Sequence, residues 1–216
     1  MKKERKISDP VIKRLPRYYR FLGELAEKNV QRISSRELSD KMGLTASQIR
    51  QDLNCFGGFG QQGYGYSVKG LRDEIGHILG IDNCYKAVLF GAGNLGKAIA
   101  VHLSFEKIGF RLIGIFDNDI DKVGIKINDL TVMSDDDLEG FCEENKPDTA
   151  ILCVPKSSVC ELFEKLYHSG IRNYWNFSHY DLAVEHDDIT VENVHLNDSL
   201  MVLCYKISNR NSQKEN

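Results

Sequence analysis

The chain has 216 residues, 42% of them apolar and 27% charged, with a formal net charge of −3. That suits one large or two small globular domains; no apolar run reaches the ~18 residues of a membrane span, and the basic start MKKERKISDP leads into no apolar export core. The charge is uneven: residues 1–80 hold 15 Lys and Arg against 9 Asp and Glu, the remainder 13 against 22, which points to a nucleic-acid contact on the basic side.

Residues 1–9 are charged and expected to fray. Pro10 suits a helix start with Asp9 as its cap. Val11, Leu15, Tyr18, Tyr19, Leu22, Leu25 and Ala26 then recur at helical spacing, and Pro16 marks where the regular helix begins. Tyr18 and Tyr19 read as packing residues rather than base-stacking ones. Ser34-Ser35-x-Glu37 reads as a cap with the acid too close for a full capping box. A short helix, Arg36 to Met42, ends at Gly43. Thr45-Ala46-Ser47-Gln48 opens a third helix, with Ile49, Leu53 and Phe56 inward and Gln48, Arg50, Gln51 and Asn54 outward. Asp52 is assigned to structure rather than contact.

Two short helices joined through Gly-Leu-Thr have the form of a helix-turn-helix, whose second helix must fit a major groove about 12 Å wide. An ordinary helical hairpin shares that spacing. The next segment, Gly57–Val68 (GGFGQQGYGYSV), shifts the balance. Its interleaved Phe59, Tyr64 and Tyr66 argue against a flexible linker, and it reads as a glycine-tipped β-hairpin, the wing of a winged helix. A fourth helix runs from Val68 to Leu79, and a domain boundary is expected at Gly80–Cys84.

The central stretch runs from Tyr85 to Asp117. Ala87–Phe90 is a buried parallel strand by its unbroken apolar run. The turn Gly91-Ala92-Gly93-Asn94-Leu95-Gly96 is a G-x-G-x-x-G arrangement, followed by a helix and a second apolar strand, Leu112–Phe116, ending in Asp117. Gly91 allows the tight turn, Gly93 lets backbone approach a pyrophosphate, and Gly96 lets helix and strand pack closely. The helix N-terminus offers free N–H groups to phosphates. Asp117 is placed to accept hydrogen bonds from an adenosine ribose and to repel a 2′-phosphate, favouring NAD(H) over NADP(H).

Beyond Asp117, residues 118–130 read as a loop. Asp135-Asp136-Asp137 reads as a solvated helix start rather than a metal site. Thr149–Val154 is a buried strand whose end faces the cofactor, Ser157–Tyr167 a helix, and Asn173–Phe177 a strand. Asp187–Val194 is an arm that can pair as a strand. Leu196–Ile207 is a terminal helix, and 208–216 read as disordered. The six cysteines form no CxxC pair and read as reduced thiols of a cytoplasmic protein. The 99 residues after Asp117 are mostly needed for the sheet, and no partnered histidine or dehydrogenase lysine or tyrosine motif appears, so a hydride-transfer enzyme is disfavoured.

A winged helix followed by a compact NAD-binding Rossmann domain resembles the Rex family of redox-sensing transcriptional repressors. The segments that carry the resemblance are RLPRYYRFL, SSRELSDKMGLTASQIRQDL, FGQQGYGY, GAGNLGKA, FDNDIDKVG and NFS, and it covers nearly the whole chain. It implies an α/β fold: a winged-helix DNA-binding domain at residues 1–80, a Rossmann NAD(H)-binding domain with a parallel sheet at 85–194, and a C-terminal helix at 195–210 exchanged between the subunits of a homodimer. It implies a bacterial, cytoplasmic, non-enzymatic repressor of fermentation and anaerobic-respiration genes. Such a repressor senses the NADH/NAD+ ratio and leaves its double-stranded DNA operator when NADH binds.

By the same resemblance the cofactor lies on Gly91, Ala92, Gly93, Asn94, Leu95, Gly96 and Asp117. The DNA-facing residues are Ser47, Gln48, Arg50 and Gln51 with Gln62, Gly63 and Tyr66 of the wing. Arg20, His102 and His195 occupy the switch positions. This chain departs from the family pattern at Gln51 and Gln62, where basic residues are usual, at His195, where an acid usually pairs with the arginine at Arg20, and at His102, where a tyrosine is usual. A Rex-like paralogue with a weakened or altered NADH response is therefore the alternative reading, and a small NAD-dependent oxidoreductase the third.

Overall fold

The computed structural model describes residues 7–55, 60–61 and 64–212. They fall into two compact units, Met1–Asn83 and Cys84–Asn216.

The first unit opens with α1 (Asp9–Ile12), capped by Ser8 rather than Asp9, and α2 (Leu15–Glu27), with a proline in the first turn of each. Proline is tolerated there because the N–H it lacks has no intrahelical acceptor. A two-residue strand, β1 (Arg32–Ile33), leads to α3 (Ser35–Met42). Here the structure corrects the sequence reading: the cap is Ser34, so Glu37 falls at the third helical position and closes a full capping box. Gly43 ends α3 in the left-handed conformation, φ 62°. Next, α4 (Ala46–Asn54) is capped by the Thr45 hydroxyl, which accepts from Gln48 N. The hairpin strands β2 (Gly60–Gln61) and β3 (Gly65–Ser67) pair antiparallel and join β1 in the order β1-β3-β2. Finally α5 (Val68–Ile78) packs on α2. Leu15, Tyr18, Leu22, Leu38, Ile49, Leu53, Leu71 and Ile75 form the core of this unit. Phe56, Phe59, Gln62 and Gly63 lie outside the described residues.

The second unit begins with β4 (Tyr85–Phe90), α6 (Asn94–His102) and β5 (Phe110–Asp117). The presumed loop at 118–130 holds the strand β6 (Lys126–Ile127), which turns through Asn128 at φ 52° into β7 (Leu130–Ser134). These strands lack a long apolar run of their own; β7 is fixed by parallel pairing to β5, Ile115 opposite Val132. Then follow α7 (Leu138–Asn145), β8 (Thr149–Leu152), α8 (Lys156–His168), β9 (Asn173–Asn176), β10 (Thr190–Asn193) and α9 (Leu196–Ser212). The arm read as able to pair does so: β10 lies parallel to β9. The terminal helix runs on through residues 208–212, where the sequence predicts disorder; no Gly or Pro interrupts SNRNS, and Arg210 suits the helix's negative end.

The sheet order is β10-β9-β8-β4-β5-β7-β6, parallel except for β6. Val88, Phe90, Phe116, Ala150 and Leu152 face a core formed with α7 and α8. Ala87, Leu89, Ile115 and Ile151 face the opposite side, with Ala100 of α6. Burial on both faces explains the unbroken apolar runs. The direction of strand order reverses at β4, between β5 and β8, and the crevice beyond the strand ends at such a switch point is where α/β sheets bind ligands. In contrast to this packed sheet, α9 has no buried residue.

Candidate functional sites: a glycine turn and a recognition helix

The glycine turn follows β4 directly. Gly91 adopts φ 95°, and a Cβ there would meet the Cys153 carbonyl oxygen at 2.6 Å. At Gly96 a Cβ would lie 1.8 Å from the Gly91 oxygen. Both positions therefore require glycine for the protein's own packing. Gly93 differs: a Cβ there would meet nothing within 4 Å. Its side faces open space, as a cradle for a ligand does. Gly93 also caps α6 without a side-chain hydrogen bond, so the first N–H groups of that helix remain available to phosphate. Asn94 and Leu95 are exposed on this first turn, whereas Ala92 is buried.

Asp117 is 5% exposed and already engaged by its own chain. Its Oδ2 accepts from Ala92 N at 2.6 Å, its Oδ1 from Asp119 N at 2.9 Å, and Lys122 Nζ lies 3.2–3.3 Å from both oxygens. The carboxylate thus ties the glycine turn to the end of β5. Lys122, which also pairs with Asp119 at 3.2 Å, was not singled out in the sequence. Burial draws its ammonium down, but hydrogen bonds to Asp119 and Asp117 outweigh that and raise it. A cavity of about 600 Å3 is lined by Gly91, Gly93, Asp117, Lys122, Pro155 and Ser157, with Cys153 in its wall. Burial pushes the Cys153 thiol up to about 12, so it stays protonated. Free helix N–H groups, an open glycine and a buried carboxylate at the end of the next strand, all at a switch point, fit a dinucleotide.

In the first unit, Ser47, Arg50, Gln51 and Asn54 are exposed on α4 at the spacing of one helical stripe. Arg50 donates to the Ser35 hydroxyl at 3.2 Å. Gln48 is half-buried beside this stripe, and its Nε2 donates to Asp52 at 2.9 Å. Asp52 is 1% exposed and also accepts from Arg14 Nε at 2.8 Å, Arg14 Nη2 at 2.7 Å and the Tyr18 hydroxyl at 3.0 Å. Burial pushes its carboxyl up, but hydrogen bonds from Arg14, Gln48 and Tyr18 more than offset this and hold it below the usual range. Burial and then the Asp52 charge push the Tyr18 phenol up. The hub fixes α4 to the α1–α2 elbow and bears out the structural assignment of Asp52. Arg14 and Tyr18 lie 38 and 34 residues away from Asp52, so no local pattern points to the hub. On the wing, Tyr66 packs half-buried on the core of the unit, and Arg32 donates to the Tyr64 carbonyl at 3.2 Å.

Of the switch positions, Arg20 is exposed on α2 and His102 is exposed at the end of α6. His195 lies just before α9 with its Nδ1 3.1 Å from Nδ1 of His179, the rings 16° from parallel. In this contact one ring nitrogen donates and the other accepts. The segment is set by Asn176, which donates to Asn193 Oδ1 at 2.8 Å and to Tyr180 O at 2.7 Å, while its own Oδ1 accepts from the Ser178 hydroxyl at 2.6 Å. This gives the NFS segment a role in linking the ends of β9 and β10.

Comparison with known proteins places these features in context. The putative DNA-binding protein N-terminus family model matches residues 6–54, and the CoA binding domain model matches 82–180. The redox-sensing transcriptional repressor Rex of Thermoanaerobacter pseudethanolicus is 54% identical over 208 residues, covering 96% of this chain and 92% of the relative. That of Clostridium beijerinckii is 50% identical over 212 residues, covering 98% and 100%. A crystal structure of RSP in complex with β-NAD+ and operator DNA superposes with a TM-score of 0.87 at 52% identity, covering 97% of this chain and 96% of that one. RSP in complex with β-NADH gives 0.88 at 49% identity, covering 97% and 98%.

Proposed function

The chain belongs to the Rex family of redox-sensing transcriptional repressors, and on that premise we propose how its two sites are joined in one activity. The protein is a DNA-binding regulator and not an enzyme; it binds NADH and NAD+ and represses transcription from a double-stranded operator. Similarity across 96% of the chain favours this reading over a paralogue with an altered response.

In our reading the pyrophosphate rests on the α6 N-terminus at Gly91–Gly96 and the adenosine ribose lies by Asp117 and Lys122. When bound, the cofactor supplies only its oxidation state as a signal. The chain's own groups hold and orient it: the free N–H groups of α6 neutralise phosphate charge, and Lys122 shares the charge of Asp117. We assign Ser47, Gln48, Arg50 and Gln51 to the operator contact, with Gln62, Gly63 and Tyr66 of the wing. The domain division is 1–80, 85–194 and 195–210. The last segment is exchanged in a homodimer, for which the apolar, solvent-facing Leu196, Leu200, Leu203 and Ile207 of α9 are the support. Arg20, His102 and His195 transmit the redox state. Action on DNA, with no described helix long and apolar enough to cross a membrane, fits a cytoplasmic location.

The observation that carries the proposal is the open cradle at Gly93, set at the sheet's switch point in a chain that also carries a capped recognition helix. A DNA-shift titration tests it. NADH is expected to release the operator at concentrations where NAD+ leaves it bound. A protein that grips no duplex, or releases it equally with both cofactors, overturns the reading.

A further inference from the structure

Asp52 does more than anchor α4. Its carboxylate, 1% exposed, has two oxygens that only accept hydrogen bonds. Gln48 lies one helical turn before it, and an amide side chain can face such a group only through its NH2; the flipped amide would set Oε1 against a carboxylate oxygen. The 2.9 Å bond from Gln48 Nε2 to Asp52 Oδ1 therefore fixes the amide's direction. Arg14, bonded to both oxygens of Asp52, balances the charge, so the acid does not repel a nearby phosphate.

Gln48 is the third residue of α4, between exposed Ser47 and the buried Ile49 that precedes exposed Arg50. The first turns of a recognition helix are the part that reaches base edges. In the major groove, adenine presents an N6 amino donor and cytosine an N4 amino donor, whereas guanine and thymine present carbonyl acceptors at those edges.

We propose that Gln48 is a specificity-determining residue whose amide, locked by Asp52, offers Oε1 to the duplex and selects an operator base bearing an exocyclic amino group, adenine or cytosine, over guanine or thymine. The proposal rests on the operator contact through α4 argued above. Arg14, Tyr18 and Asp52 do not read sequence; they hold the reader in one orientation. A free glutamine could exchange the places of its oxygen and its NH2; here one N–H of Nε2 is held on Asp52, so, although the second N–H can still donate, the place that Oε1 occupies can meet only a donor.

The test uses the full-length chain. An operator selected by the wild type from a random duplex pool is varied one base pair at a time, and affinities are measured for the wild type, Gln48→Ala and Asp52→Asn. At one position in each half-site the wild type is expected to prefer an amino-bearing base by about fivefold, the usual effect of one net hydrogen bond. Gln48→Ala is expected to erase that preference there and nowhere else. Asp52→Asn, which gives the amide both a donor and an acceptor to face, is expected to narrow it at the same position. Cooperative thermal unfolding and retained NADH binding show that each variant is folded. A preference for guanine or thymine at that position, or a Gln48→Ala profile matching the wild type at every position, overturns the inference and leaves the repressor reading intact. Failure of the wild type to hold any duplex overturns both.

Discussion

The backbone N–H of Ala92 points at Oδ2 of Asp117 from 2.6 Å, which makes the acid at the end of β5 part of the glycine turn itself. Removing the carboxylate leaves a buried N–H without its acceptor and Lys122 with Asp119 alone. Loss of a charged hydrogen bond costs about 1.5–3 kcal/mol. Asp117→Ala is expected to weaken NADH binding by roughly 10- to 100-fold, read by NADH fluorescence. Operator binding without cofactor is expected to persist.

Gly93 and Gly96 are expected to separate cofactor space from packing space. A methyl at Gly93 enters open space, so Gly93→Ala leaves thermal stability near wild type but obstructs the cofactor, lowering NADH affinity by about tenfold or more. A methyl at Gly96 would collide with the Gly91 carbonyl. Gly96→Ala is therefore expected to lower the unfolding midpoint of the second unit as well as NADH affinity. Calorimetry alongside fluorescence distinguishes the two.

Because its hydrogen bonds depress the Asp52 carboxyl, the folded state binds that proton less readily than the unfolded chain. The stabilisation is complete above the unfolded carboxylate value, about 3.9, and is lost as pH falls through the lower folded value. Arg14 is 28% exposed, so the cost of Asp52→Ala lies below the ~3–5 kcal/mol of a fully buried pair, at about 2 kcal/mol. Denaturant unfolding at pH 7 reads that loss. The same experiment near pH 3 is expected to show a smaller difference between variant and wild type.

Arg50 is exposed and points from the α4 stripe. Arg50→Ala is expected to reduce operator affinity by about tenfold without changing NADH affinity. If Arg50 meets a phosphate, the slope of log affinity against log salt falls in magnitude by about one. An unchanged slope with altered base preference would mark it as a base contact.

The elements legible in the sequence were those with a local cause. The apolar runs of β4 and β8, the glycine triplet and the capped helices each state their structure within a few residues. The strand β7 was missed because its partner, not its own pattern, makes it a strand. Lys122 was missed because a lone lysine in a polar loop has no signature until the chain folds it over Asp117. The Arg14–Asp52 bond spans 38 residues, and the meeting of His179 with His195 depends on β9 and β10 lying side by side. Periodicity reports which face of an element is buried; it is silent on which two polar groups meet across the core.

Asp117 is buried beneath a Lys122 that is only partly exposed, whereas the arginine on α4 stands in water. Mobile ions screen the second far more than the first. Added salt is thus expected to weaken the operator contact through Arg50 before it disturbs the fold around Asp117.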